Sequence, residues 1–502
     1  MATTEAGPLQ GPYPTPYQAP ADPPMEYKMY IGGEWVESAS GERFDVWSPG
    51  DGSRIGSVPK GTEEDVRRAI AAAKKAQKEM AKLSIPARAR LLTRAGEIAF
   101  RRLEHDARVL CRECGKTITE ALSEIEDYSA PHFVEAAEGI KRYRGKVNPS
   151  IQEDTLNKRI LVIRQPMGVI GIISPWNWPH DIPNIAATHG LAAGNAIIMK
   201  PASTTPYSAL MLAEIYEEAG FPAGAVNVVT GPGGVVGEEL VSNPGTSAIH
   251  FTGETVTGEH LTRIAGIKRL MLELGGNGPL VVWDDANIEE AVEATITGCF
   301  YLAGQVCTAS ERILVHEAVH DEFVEKLVAR AGKVKVGNPL DAATDMGPLN
   351  NLSNVAKVKA HYDDARERGG EFLMGGGIDG MYSDVTVVDG VTSDFLMARD
   401  ETFGPVAPIM TFKDMDECLR IANETPYGLQ GAAFTSSLRT AFLLGEGIEC
   451  GTVLINETNN CWDQLSPFGG IKKSGLGREL SDWCFDELTE IKQLNIDISK
   501  VK

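Results

Sequence analysis

The sequence predicts an α/β protein built on buried parallel sheets. Two observations carry that prediction. Between about residues 168 and 274, short β-branched apolar runs alternate with helical patterns, which is the signature of βαβ units. A second alternating series runs from about 279 to 478, so the chain holds a second α/β unit. Its 502 residues suffice for two or three domains with full hydrophobic cores.

The elements follow in chain order. Residues 1–25 are Pro-rich and poor in aliphatics, a composition that predicts a disordered tail. They lack the basic start and apolar stretch of a secretory signal. Thr62 and Asp65 stand at capping-box spacing, and Val66, Ile70, Ala73 and Met80 follow at helical spacing, so 62–82 reads as a helix. "PARARLLTRAGEIAFRRLEHDARVL" continues in the same period, and this part of the chain reads as mainly helical. Strands are predicted at "GVIGIIS" (168–174), "NAIIMK" (195–200), "AVNVV" (225–229), "SAIHF" (247–251) and "RLMLEL" (269–274). Helices fall between them, one after Pro206 and one near 234–243. Parallel sheets of this kind bind ligands at the carboxyl ends of their strands. The second series includes "GPLVVWDDANIEEAVEA", "ERILVHEAVHDEFVEKLVAR", "PVAPIMTF" and "GTVLIN". The polar stretch 146–166 reads as a hairpin that leaves the body.

Composition excludes several classes. A net charge of −21 without a long Lys/Arg run argues against a nucleic-acid partner. No run approaches the ~18 apolar residues of a membrane span. Eight cysteines form no dense framework, and free thiols in a cytoplasmic protein are expected. Cys111-x-x-Cys114 lies in a helical pattern with no second pair at ligand spacing, so the spacing is incidental and no metal is expected.

Five stretches can carry chemistry. In "GQVCTAS" (304–310) Cys307 sits among small and polar residues, either as packing or as a nucleophile. In "SPWNWPHDIP" the Asn177 amide can donate to an oxyanion or simply hold a turn. Lys200 in "NAIIMKPAS" ends a strand, where it either bonds a ribose or phosphate or is solvated. "HFTGETVTGEH" places Gly253 and Gly258 between a strand and a helix, a weak phosphate-cradle signal. Glu273 in "LELGGNGP" ends a strand, as a general base or as a surface Glu.

Together with "DETFGPV" and "PFGGIKKSGLGRE", these stretches in their order resemble the aldehyde dehydrogenase superfamily over roughly residues 27–500. The 34 residues from Glu273 to Cys307 and the 23 from Asn177 to Lys200 also fit. The resemblance implies a Rossmann-like dinucleotide-binding domain (26–146 and 167–278), a catalytic domain (279–478) and a small β oligomerisation element (147–166 and 479–502). It implies that Cys307 attacks the aldehyde, that Asn177 holds the oxyanion and that Glu273 activates the water that hydrolyses the thioester. A CoA-acylating relative usually lacks that carboxylate, so a carboxylic acid product is implied. A catalytically silent structural protein on the same scaffold is disfavoured because all three groups are present. Lys200 matches the adenosine-ribose ligand. Trp176, Gly253, Glu254 and Gly258 fall in the cofactor motifs, and Glu401 and Phe403 match the nicotinamide grip.

Three departures from the family pattern matter. Ser203 replaces the Glu with which many NAD-preferring members hold the ribose hydroxyls, so NADP is expected ahead of NAD. Glu254 stands where many members have Ser near the pyrophosphate. The expected substrate tunnel reads Trp178, Asp181, Ile182, Ile185, Val306, Thr308, Trp462 and Phe468. Ile185 replaces the Arg common in succinic semialdehyde dehydrogenases, so a substrate carboxylate lacks its bidentate partner. The two Trp favour a flat or apolar body, while Asp181 and Asp463 favour a hydroxyl or ammonium. Glu124 and Asp127 are read as acids on one helix face. The order of expected substrates is aromatic or medium-chain aldehydes, then aminoaldehydes, then semialdehyde acids. "TEIKQLNIDIS" (489–499) reads as a pairing edge strand, and a homodimer or homotetramer is expected.

Overall fold

The computed structural model describes residues 25–500. The predicted tail therefore lies outside the described residues except at Met25, which already pairs with Gly56 in a short strand.

Five strands of two to six residues lie between Met25 and Pro59. The sequence reading has no counterpart for them, because runs this short show no usable period. Two long helices follow. Glu63–Lys82 starts at Thr62 with the expected reciprocal bonds to Asp65. Ile85–Cys114 ends at Gly115, whose φ of 90° is the left-handed closure that favours glycine.

The first sheet has eight strands. Its parallel centre places Val169–Ile173 between Ala248–Thr252 on one side and Ala196–Lys200 on the other. Val226–Val228 and Arg269–Glu273 extend it outward. Four of these five strands, "VIGII", "AIIMK", "VNV" and "AIHFT", are buried along their whole length, as a sheet covered on both faces requires. The helix Asp181–Ala193 is likewise buried at every residue. In place of one helix near 234–243, a π-helical turn, Gly233–Gly237, runs into Glu238–Ser242.

The second sheet has seven strands, with Ser310–His316 near its centre beside Gly278–Val282 and Val406–Phe412. One boundary differs from the prediction. Gly475–Leu476, expected in the second unit, pairs antiparallel with Leu272–Glu273 and so joins the first sheet. The segment that carries it returns across the cleft, which no local pattern reveals. A third sheet joins Lys146–Asn148, Lys158–Pro166 and Thr489–Asp497, matching the predicted hairpin and edge strand.

Glu124 and Asp127 do not share a face. The backbone from Glu124 to Ser129 is a π-helical turn, whose wider repeat breaks the i, i+3 alignment. Glu124 is fully buried, whereas Asp127 is exposed and takes a bond from the Ser123 hydroxyl.

Candidate active site

In the first sheet, chain order reverses between Val169–Ile173 and Ala248–Thr252. The crevice at the carboxyl ends of these strands is where such sheets bind ligands. Trp176 and Asn177 follow the first strand, Gly253 and Glu254 follow the second, and Lys200 and Glu273 close two neighbouring strands. Cys307 approaches from the other side of the cleft, three residues before the strand Ser310–His316.

The approach to Cys307 is bent. Leu302, Ala303 and Gly304 have φ of 50°, 53° and 71° in succession. Non-glycine residues rarely adopt this region, so other contacts must hold it. The Gln305 side chain does so with four bonds, donating to the carbonyls of Leu302 and Pro348 and accepting from the N–H of Asn350 and from Asn354 Nδ2. The carbonyl of Gln305 takes a 2.9 Å bond from Asn177 Nδ2. The amide loop and the thiol loop are thereby tied directly.

Cys307 and Glu273 line one narrow cavity of about 60 Å³. Of the predicted tunnel residues, Trp178, Asp181, Ile182, Ile185, Val306, Trp462 and Phe468 also line it. Thr308 does not. It is buried and its hydroxyl donates to Asn460 Oδ1, because consecutive residues on this loop point apart. Tyr128, His132 and Glu479 are lining residues that sequence reasoning missed. Tyr128, Trp178 and Trp462 meet edge to face at 5.3–5.6 Å. Asp181 is bonded at 2.9 Å to His132 Nε2.

The electrostatics of the cavity are acidic. No side chain among the described residues hydrogen-bonds the Glu273 carboxylate, and burial, then the charge of Glu479, push its pKa well above the ordinary value. Burial, then Glu273, Glu401 and Glu479, push the Cys307 thiol up in the same way. Glu479 is itself bonded to buried His250. Against burial, Asp181 and then Glu135 hold His132 up at about 9.

The cofactor-motif residues form a second group. Lys200 is buried with no ion pair among the described residues, and burial alone lowers it to about 8. An unpaired buried cation at a strand end fits an anionic or polyhydroxyl ligand. Ser203 is exposed beside it, its hydroxyl 3.4 Å from the Gly231 carbonyl. Exposed Glu254 caps the helix Thr255–Ile264. A Cβ on Gly258 would meet the Leu274 side chain at 2.4 Å, so this glycine serves close packing of that helix. Across the cleft, Glu401 accepts the N–H of Gly276 at 2.9 Å and lies 3.6 Å from Lys357. Phe403 has φ 55° and packs edge-on against Trp176 at 5.4 Å. Glu311 fixes that bend by accepting the N–H groups of Thr402 and Phe403, each at 2.8 Å. Lys357 and Glu311 carry no sequence signal of their own.

The sequence pattern of the aldehyde dehydrogenase family matches residues 35–494. The chain belongs to that family. This aldehyde dehydrogenase is 41% identical over 474 residues to glutarate-semialdehyde dehydrogenase of Pseudomonas putida, covering 94% of this chain and 98% of the other. It is 40% identical over 473 residues to the NADP(+) succinate-semialdehyde dehydrogenase of Escherichia coli, covering 93% and 97%. A crystal structure of an E. coli NADP-dependent enzyme superposes with a TM-score of 0.92 at 40% identity, covering 94% of this chain and 98% of that one.

Gly276 shows how tightly this aldehyde dehydrogenase packs around its thiol loop. A Cβ there would sit 2.2 Å from the Cys307 carbonyl oxygen, a distance at which backbone must move. Gly276→Ala is expected to cut turnover on the order of 10²-fold, as a displacement of ~1 Å does. Aldehyde-dependent reduction of the cofactor, followed by absorbance, measures it.

Proposed function

We propose that this aldehyde dehydrogenase oxidises a slender, uncharged aldehyde to the carboxylic acid, with NADP preferred over NAD. The observation that carries this reading is the narrow cavity shared by Cys307 and Glu273, walled by aromatic rings and holding no Lys or Arg among its described lining residues.

The chemistry follows from the groups in place. The sulfur of Cys307, once deprotonated, adds to the aldehyde carbon to give a thiohemiacetal. The Asn177 amide and the Cys307 backbone N–H stabilise the oxyanion, and losing one such donor typically costs ~10²–10³ in rate. When bound, the nicotinamide supplies the hydride acceptor. Glu273 then takes a proton from the water that attacks the thioester, and the acid departs as the thiolate is regenerated. Lys200 and Ser203 would hold the adenosine ribose and its 2′-phosphate. Trp176, Gly253 and Glu254 would border the pyrophosphate, and Glu401 and Phe403 the nicotinamide ribose.

Substrate shape is argued from the walls. The cavity is narrow and walled by the rings of Tyr128, Trp178 and Trp462, which supports an unbranched chain that threads between them. The acid offered to an ammonium, Asp181, is already bonded to His132, which argues against an aminoaldehyde. Ile185 lines the wall without replacement by Lys or Arg, and His132, the cation among the described lining residues, is already bonded to Asp181, which argues against a terminal carboxylate. A second reading, a semialdehyde acid, draws support from the names of the relatives. It also draws support from Trp178 Nε1–H, a buried donor without a partner. The comparison of hexanal, benzaldehyde, 4-aminobutanal and succinic and glutaric semialdehydes, each with NADP and with NAD, separates these. Hexanal with NADP is expected to give the highest kcat/KM. A semialdehyde at the top installs the second reading, and a higher kcat/KM with NAD overturns the cofactor preference.

Glu273 acts only when deprotonated, and its raised pKa places that deprotonation above the ordinary Glu range of about 4.3. Activity is therefore expected to fall as pH drops through a value above that range. Glu273→Gln is expected to leave acylation intact and stop thioester hydrolysis, read as a single burst of reduced cofactor.

The three-stranded sheet exposes apolar side chains, with Ile491 61% and Val147 71% accessible, and the reading includes assembly through it as a homodimer or homotetramer. Light scattering at micromolar concentration is expected to show no monomer.

A further inference from the structure

One short helix and the π-helical turn that continues it touch both catalytic loops. Ile118–Ser123 begins at Thr117 with a capping box, in which Glu120 Oε2 accepts the Thr117 N–H at 2.7 Å. The other oxygen of Glu120 is not spent on the helix. It accepts the N–H of Leu302 at 2.6 Å, at the start of the left-handed run that leads to Cys307. One turn later, Glu124 Oε1 accepts the N–H groups of His180 and Asp181 at 2.9 and 3.0 Å. Those residues lie three and four positions after Asn177. Both carboxylates are buried.

The charge balance is also local. Lys116, buried and 0% exposed, pairs with the second oxygen of Glu124. Its ammonium lies 4.4 Å from the centre of the Trp178 ring. Cys114 adds a third tie, its thiol donating toward the carbonyls of Trp176 and Asn177 at 3.3 and 3.6 Å. Two buried acids held this way are costly unless every oxygen is used, and here each oxygen is. Cys114, Lys116, Glu120 and Glu124 do not line the cavity.

We infer that Glu120 and Glu124, with Lys116 as counter-ion, are positioning residues that set the placement of the Cys307 loop against the Asn177 loop. The spacing of one helical turn between the two acids becomes the spacing between the thiol loop of one sheet and the amide loop of the other. This rests on the roles given above to Cys307 and Asn177.

The test uses the full chain and counts folded sites by NADPH fluorescence titration, so that turnover is expressed per cofactor-binding site. A helix needed only for folding would lower the number of sites and leave turnover per site unchanged. Glu120→Ala and Glu124→Ala are expected to lower kcat per site on the order of 10²-fold, the cost of a misplacement of ~1 Å, with NADPH affinity unchanged. The double variant Lys116→Met/Glu124→Gln keeps the acceptor for His180 and Asp181 and removes both charges. It is expected to recover most of that loss, whereas a simple requirement for the ion pair predicts no recovery. Glu120→Ala is also expected to speed alkylation of Cys307 by iodoacetamide, followed by mass spectrometry. Should an alanine variant not fold, Glu120→Asp or Glu124→Asp, which keeps the charge and withdraws the acceptor, is expected to show the same slowing. Wild-type turnover per site in the alanine or aspartate variants, or no recovery in the double variant, overturns the inference. Cys307→Ala is run alongside. If it retains turnover, the reading of the site itself fails; if it is inactive while the glutamate variants match wild type, only the positioning role fails.

Discussion

The 2.9 Å bond from Asn177 Nδ2 to the Gln305 carbonyl spans the cleft between two separately built sheets. A neutral hydrogen bond of this kind contributes only about 0.5–1.5 kcal/mol net. It therefore cannot hold two domains in register alone. What makes it dependable is that both of its ends are over-determined. Gln305 is fixed by Leu302, Pro348 and Asn350, and the residues after Asn177 are fixed by Glu124. The strained left-handed run before Cys307 persists for the same reason, since strain at a site survives only where its surroundings leave no alternative.

The second constraint is charge in a dry place. Glu273, Glu401 and Glu479 surround a thiol whose own ionisation they oppose. Each of these acids is also buried or nearly so, and a buried carboxylate without a cation tends to keep its proton. The protein meets this unevenly. Glu401 has Lys357 at 3.6 Å and Glu479 is bonded to His250, while Glu273 has no side-chain partner among the described residues. Lys200 is its opposite on the cofactor side, a buried cation without an anion. In a chain of net charge −21, a buried ammonium with no ion pair among the described residues suits a negative ligand.

Much of the site was legible because its groups sit in short motifs at strand ends. "PWNWP", "MKPAS", "LELGGNGP" and "GQVCTAS" each combine a chemical residue with the turn that presents it. The parallel strands were legible because burial on both faces forces continuous apolar runs. The short strands before Pro59 and the return of Gly475–Leu476 to the first sheet were not, since pairing partners far along the chain leave no local period. Glu124 was read as sharing one helix face with Asp127. A π-helical turn and a lysine eight residues away turned it inward instead.

The sequence by itself determined the α/β class and the family, and it singled out the thiol, amide and carboxylate as candidates, because each depends on residue type and on spacing within one segment. The tertiary structure decided which side chains face the cavity, that Asp181 is already engaged by His132, that Thr308 turns away to Asn460, and that Glu120 and Glu124 bond the backbone of the two loops. Those facts depend on contacts between segments tens to hundreds of residues apart, and only folding sets their distances and their burial.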